Sequence, residues 1–213
     1  MIDEIAFILF LGCVIVYVIM FIIRSRHRGK SERSTLNLVY RSWVQNRMND
    51  ENLLYATQAL RNFIMGNATF ISGLLILVGI LVGVYNTQIL SSDIFWGIQE
   101  LSVGFVQMAS NLALVFFSLF NFILSIRYIV RVSLLLTGDI KNFSEGDFNG
   151  VEIAKKAFIS AQNHWLFGNR GLFFIFATLS WLIDSFFFLA VTVIIMVYLV
   201  LFQDIWVASK KED

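Results

Sequence analysis

Three arginines, Arg61, Arg127 and Arg170, each stand at one end of a long uncharged stretch. Each also has a hydrogen-bonding or aromatic neighbour: Gln58 and Asn62 near Arg61, Tyr128 beside Arg127, and Trp165 shortly before Arg170. A guanidinium is planar, always charged, and carries a fork of donors that matches phosphate or carboxylate oxygens. Three of them converging at one depth would form an anion site for a phosphate-bearing lipid, a carboxylate metabolite or a permeating anion. Trp43 joins the set as an aromatic residue at headgroup depth. In the plainer alternative each arginine reaches separately to lipid headgroups and only anchors the chain.

A second set of polar residues, Asn67, Gln107, Asn111, Asn121 and Asp184, interrupts otherwise apolar stretches. A carboxyl group at mid-membrane depth is costly, normally faces protein or water, and marks a functional site by default. Alternatively Asp184 caps a helix after a bend, or is protonated and hydrogen-bonded.

Other chemistry has little to work with. His27 and His164 have no carboxylate or cysteine at ligand spacing, so neither a metal site nor nucleophilic catalysis is expected. No glycine-rich phosphate loop precedes a Lys-Ser/Thr pair, and the acidic loop from Asp139 to Glu152 lacks the alternating ligands of a calcium loop. A net charge of +1 gives no footprint for nucleic acid. The expectation is a protein that is not an enzyme and needs no cofactor.

The elements that must position these residues are legible in the composition. Of 213 residues, 58% are hydrophobic and 15% charged, more apolar surface than one soluble core of this size can use. An integral membrane protein follows. The absence of proline argues for long uninterrupted helices, and the single cysteine, Cys13, rules out an intrachain disulfide.

Apolar runs, uncharged except for Asp184 in the last, predict four spans, at about 5–23, 63–85, 101–126 and 172–202, in a single membrane domain covering 1–213. The first opens with Asp3 and Glu4 and ends in Arg24, Arg26 and Arg28, the reverse of a signal peptide's charge order. The last is longer than one crossing needs, so it either tilts strongly or bends near Asp184-Ser185. Gly79 and Gly83 form a GxxxG in the second span.

Charge sets the orientation. Eight basic residues and three acids lie from Arg24 to Arg61, six basic residues lie from Arg127 to Arg170, and only Lys210 and Lys211 lie elsewhere. The positive-inside rule therefore places 24–61 and 127–170 in the cytosol and both termini outside, most simply in the plasma membrane; a re-entrant hairpin at Asp184 would instead return Lys210 and Lys211 to the cytosol. Each cytosolic segment carries an amphipathic helix. In the first, Leu36, Val39, Tyr40, Trp43, Val44 and Met48 share a face that would lie on the membrane or pack on a neighbouring subunit; Asn49 or Asp50 would cap the next helix, beginning near Glu51. In the second, Val151, Ala154, Phe158, Ala161 and Trp165 share a face. The expected fold is all-α: a membrane four-helix bundle with two cytosolic amphipathic helices.

Depth names partners for the buried polar groups. At about 1.5 Å per residue, Asn67 lies roughly 9 Å from Arg61 and Asn121 roughly 9 Å from Arg127, one shared level. Asp184 lies roughly 21 Å beyond Arg170 and Asn111 roughly 24 Å beyond Arg127, which predicts an Asp184–Asn111 pair.

Four blocks carry a resemblance. Arg41, Trp43, Val44 and Met48 form the first, and Ala56-x-Gln58-x-x-Arg61-Asn62-x-Ile64-Met65 the second. The third is Ser125-Ile126-Arg127-Tyr128 with Val132-Ser133, and the last Trp165-x-x-Gly168-x-Arg170 with Trp181. In this order, over roughly residues 5 to 203, they resemble domain-of-unknown-function family 599, membrane proteins of plants, bacteria and archaea. The resemblance implies a multi-pass membrane protein with no assigned activity. Where this chain has Asp184-Ser185, family members often have Gly-Pro, which supports a bend there. Where they often have His, this chain has Arg131, so a proton-transfer role built on that His does not carry over.

Two functions fit these expectations. One is an oligomeric channel or transporter-like protein with an arginine-lined cytosolic anion site. The other is a non-transporting scaffold or lipid-binding adaptor. The partners expected are the bilayer, anionic lipid headgroups and other copies of the chain.

Overall fold

The computed structural model describes residues 2–26, 32–48, 53–88, 94–138, 144–145 and 148–200. The fold is all-α, with two small hairpins: α1 (Ile2–Arg26), α2 (Glu32–Met48), α3 (Leu54–Gln88), β1 (Ile94–Phe95), β2 (Ile98–Ser102), α4 (Val103–Thr137), β3 (Ser144–Glu145), β4 (Phe148–Asn149), α5 (Gly150–Ser180) and α6 (Ser185–Tyr198). The cap expected at Asn49 or Asp50 and the start expected near Glu51 lie outside the described residues, as do Lys210 and Lys211.

Three helices are long and apolar enough to cross a membrane, over Ile2–Phe21, Leu54–Val84 and Val103–Thr137. Their outward side chains are apolar and open: Ile15 is 57% exposed, Ile76 66% and Phe120 63%. Water would not tolerate so much apolar surface on a folded chain, whereas lipid tails are as apolar as the side chains themselves.

The chain divides into two compact units, one from residues 1–34, 76–116 and 170–213, the other from 35–75 and 117–169. In the first, aromatic rings set the packing. Trp181, 2% exposed, stacks on Phe7 at 5.6 Å and on Phe188 at 4.9 Å; Phe10 meets both Phe174 and Phe188. The end of α5 runs antiparallel to α1, because Asp3 meets Trp181 while Tyr17, two helical turns beyond Phe10, meets Phe174.

The fourth expected span, 172–202, is divided. Helix α5 stops at Ser180, residues 181–183 turn, and α6 starts after Asp184. The α6 chain then returns along α5, since Trp181 pairs with Phe188 and Phe173 with Tyr198 at 5.4 Å. A single tilted crossing would hold Phe173 and Tyr198 far apart along its axis, so this stretch is a helical hairpin. With only 14 residues, α6 is about 21 Å long, too short alone for a hydrocarbon core of about 30 Å.

The loop expected before the third span contains the β1–β2 hairpin. Its turn residues Trp96 and Gly97 have φ of 53° and 69°, the positive values of a two-residue primed turn. Glycine takes this conformation freely; Trp96 is held there in part by its backbone N–H donating to the Glu4 carboxylate at 2.7 Å.

In the second unit the expected face of α2 forms, but it packs within the chain. Trp43 stacks on Phe158 of α5 at 5.0 Å and 13°, Tyr40 meets the same ring edge-on at 5.5 Å, and Val44 is fully buried. The expected stripe on α5, with Ala154, Phe158 and Ala161 all buried, supplies the complementary surface. That stripe is not a separate amphipathic helix. Gly150 to Ser180 is one continuous helix, started by the Asn149 carboxamide oxygen accepting the Val151 N–H at 2.9 Å. Gly168 lets α4 approach: a β-carbon there would sit 2.8 Å from the ring of Phe122, which itself stacks on Phe70 at 5.2 Å.

Candidate functional site: a basic face beside an apolar groove

Of the three arginines, Arg61 on α3 and Arg127 on α4 belong to the second unit and are exposed. Gln58 and Asn62 are exposed on α3 with Arg61, so α3 offers a guanidinium and two amides at the start of its apolar run. Trp43 is half-buried, committed on one side to Phe158. Next to these residues an open groove of about 260 Å³ lies between α2, α3 and α5, lined by Tyr40, Trp43, Leu60, Phe63, Phe158 and Gln162 among others. Leu60 and Phe63 bracket Arg61 and Asn62 in the chain, so one helical turn passes from charged surface to apolar wall.

Arg170 belongs to the first unit and is only 7% exposed. Its guanidinium carbon lies 4.3 Å from the centroid of the Phe21 ring and 5.7 Å from that of Tyr17, where the negative faces of the rings attract the cation. Both rings are in the half of the α1 apolar run nearer Arg24.

The expected Asp184–Asn111 pair does not form. Asp184 lies past the end of α5, and its carboxylate accepts the backbone N–H groups of Phe186 and Phe187, donors otherwise orphaned at the start of α6. At the level of Asn111 the partner is Thr178, whose hydroxyl donates to the amide oxygen at 2.8 Å; the amide nitrogen donates to the Thr178 and Gln107 carbonyls. The straight-helix count fails because the helix ends four residues before the carboxylate.

Asn67 is buried, its amide nitrogen donating to the Phe63 carbonyl at 2.9 Å. Asn121, also buried, donates to the Phe117 carbonyl, which leaves its oxygen to accept from His164 Nδ1 at 2.9 Å. The His164 ring stacks on Tyr128 at 5.5 Å and 8°, and Arg131 sits 5.6 Å from the Tyr128 ring centroid. His164, which has no carboxylate or cysteine at ligand spacing, thus belongs to a polar pair. Its partner is 43 residues away on another helix, beyond the reach of local spacing.

Burial holds the His164 pKa below its ordinary value of 6.5. A base with a depressed folded pKa binds fewer protons folded than unfolded as pH falls, so its contribution to stability is full above about 6.5 and is lost toward the lower folded value. The apparent melting temperature is expected to fall between pH 7.5 and 5.5. In His164→Gln, which keeps an amide donor for Asn121 and does not titrate, this part of the fall disappears; equal slopes in both proteins would contradict it.

A second polar cluster in the first unit also escaped the sequence reading. Asp3 accepts from Trp181 Nε1 at 3.0 Å and from the Ser185 hydroxyl, tying the first turn of α1 to the α5–α6 turn. Gln107 adds a bond to the Trp181 carbonyl at 3.0 Å.

No curated protein and no solved structure matches the chain. The family described as "Protein of unknown function, DUF599" matches residues 5–207, and the chain belongs to that family.

Proposed function

We propose that the protein is a non-catalytic integral membrane protein of the plasma membrane that binds anionic lipid headgroups at its cytosolic face. The observation that carries this is the exposure of Arg61 and Arg127 at one end of the apolar runs of α3 and α4, with Gln58 and Asn62 beside Arg61. The positive-inside rule sets this end in the cytosol, where the inner leaflet is anionic. Each arginine near such a surface contributes about 1 kcal/mol, and a bidentate fork on phosphate adds geometric selectivity. The N-terminus is outside. The hairpin returns α6 along α5, so α6 is directed back toward the cytosolic side.

The test is lipid retention by purified protein, read by native mass spectrometry with equal dioleoyl phosphatidylglycerol and dioleoyl phosphatidylcholine. Preferential retention of phosphatidylglycerol is expected, reduced about tenfold in Arg61→Gln/Arg127→Gln and partly in Arg61→Lys, which keeps charge but not the fork. Equal retention of both lipids by the wild type would overturn it.

One observation favours a second reading. Arg170 is a buried cation beside an apolar run, a placement that in membrane proteins often marks an ion or substrate path. In that reading a homo-oligomer carries an anion, and chloride flux into liposomes would be sensitive to Arg170→Gln; absence of flux from wild-type liposomes removes it.

A further inference from the structure

The β1–β2 hairpin keeps one side chain in and turns its neighbours out. Phe95, 1% exposed, meets the Phe7 ring edge-on at 5.9 Å, while Ile94, Trp96 and Ile98 are exposed. The turn residue Trp96 is an unfavourable choice for its backbone. Its φ of 53° is a left-handed conformation that a side chain of this size disfavours about tenfold, whereas glycine or asparagine takes it readily. Glu4 does not account for the indole, because its carboxylate accepts the backbone N–H of residue 96, a bond that glycine or asparagine would make as well. Nor does the core: the ring meets Phe95 at 5.0 Å yet Trp96 is 52% exposed. A strained turn carrying a large, open aromatic ring places what the ring serves outside the chain.

Position identifies what lies there. Ring-to-ring steps of 5.0 Å to Phe95 and 5.9 Å to Phe7 connect the indole to the second turn of α1, inside the apolar run Ile2–Phe21. On its other side β2 passes without a break into α4, whose apolar run starts at Val103. The hairpin is therefore fixed to the first turns of two helices whose open side chains, Ile5, Ile8 and Phe105 among them, need lipid around them. We infer that the hairpin is an interfacial anchor, with the Trp96 indole in the headgroup layer of the leaflet in which α1 begins and Ile94 and Ile98 beside it. Indole suits that layer: its rings leave water while the Nε1–H donates to lipid ester carbonyls. The inference rests on α1 and α4 crossing a bilayer and is independent of the headgroup site at Arg61 and Arg127.

Collisional quenching tests it. Wild type and Trp96→Asn, which suits the turn, are reconstituted in vesicles of phosphatidylcholine brominated near the carbonyl end of its tails. The wild-type minus Trp96→Asn difference isolates one indole of five. That signal is expected to lose most of its intensity to the bromines and little to aqueous iodide. A difference quenched by iodide and not by bromine overturns the anchor. One quenched by neither overturns it as well, because the ring then lies against protein.

A measurement on the unaltered chain separates the anchor from the membrane crossing beneath it. Phosphatidylcholine carrying a photoreactive diazirine at its glycerol end should crosslink to the peptide containing Trp96 as well as to the first turns of α1. Adducts on α1 with none on the hairpin overturn the anchor alone. Absence of adducts from the hairpin, α1 and α4 together would remove the crossing on which it rests.

Discussion

Trp181→Ala is expected to destabilise the protein by about 3–5 kcal/mol. The indole is 2% exposed, stacked between Phe7 at 5.6 Å and Phe188 at 4.9 Å, so truncation leaves a cavity where α1, α5 and α6 meet. It also removes the Nε1–H donor of Asp3, leaving that carboxylate with the Ser185 hydroxyl. For a chain of this length the loss corresponds to a fall in apparent melting temperature of about 10 °C. Trp181→Phe keeps an aromatic ring and loses the donor, at a cost of about 1 kcal/mol. A Trp181→Ala protein that melts within about 2 °C of the wild type would show that the turn is not held by this ring.

Phe158→Ala is the corresponding test in the second unit. Phe158 is 8% exposed and carries the aromatic contacts that hold α2: the Trp43 ring stacks on it and the Tyr40 ring meets it edge-on. Removing a buried Phe costs about 3–5 kcal/mol, and here the loss falls on the opening of one helix. Amide exchange in α2 should therefore speed up by about a hundredfold or more, with α6 unaffected. Unchanged protection of α2 would mean that this helix is fixed elsewhere.

The sequence made the apolar helices legible because an uncharged run of twenty residues has few alternatives. Helices α1 and α3 cover the runs at 5–23 and 63–85, and α4 covers all but the first two residues of 101–126, which close the β1–β2 hairpin. Asp184 in the last run signalled an interruption, and the helix does break there. A hairpin at Asp184 is one of the alternatives the sequence leaves open, and what selects it is Trp181 meeting Phe188 and Phe173 meeting Tyr198, contacts made only after the turn has closed.

The periodicity of α2 revealed a buried face but not its partner. The complementary stripe was also visible, yet nothing local says that two amphipathic faces more than a hundred residues apart belong together. Arg61, Arg127 and Arg170 were readable as charges ending apolar runs. Which of them turns inward is set by rotation about each helix axis, and that follows from packing: Arg170 lies against Tyr17 and Phe21, while Arg61 and Arg127 are exposed. The polar pairs Asn111–Thr178 and Asn121–His164 span 67 and 43 residues, so only the tertiary fold identifies them. The Trp96-Gly97 turn does leave a local signal, a glycine between two short β-favouring segments.

The sidedness of the basic face decides whether Arg61 and Arg127 meet the anionic leaflet, and one experiment measures it together with the returning hairpin. Single cysteines at Ser34, Asp93, Ser144 and Ser209, introduced in a Cys13→Ser background, are treated on intact cells with a membrane-impermeant maleimide. Asp93→Cys should react at once, and the other three only after the membrane is opened. Labelling of Ser34→Cys or Ser144→Cys in intact cells would place the arginines outside and contradict the lipid-binding face, and labelling of Ser209→Cys alone would contradict the return of α6.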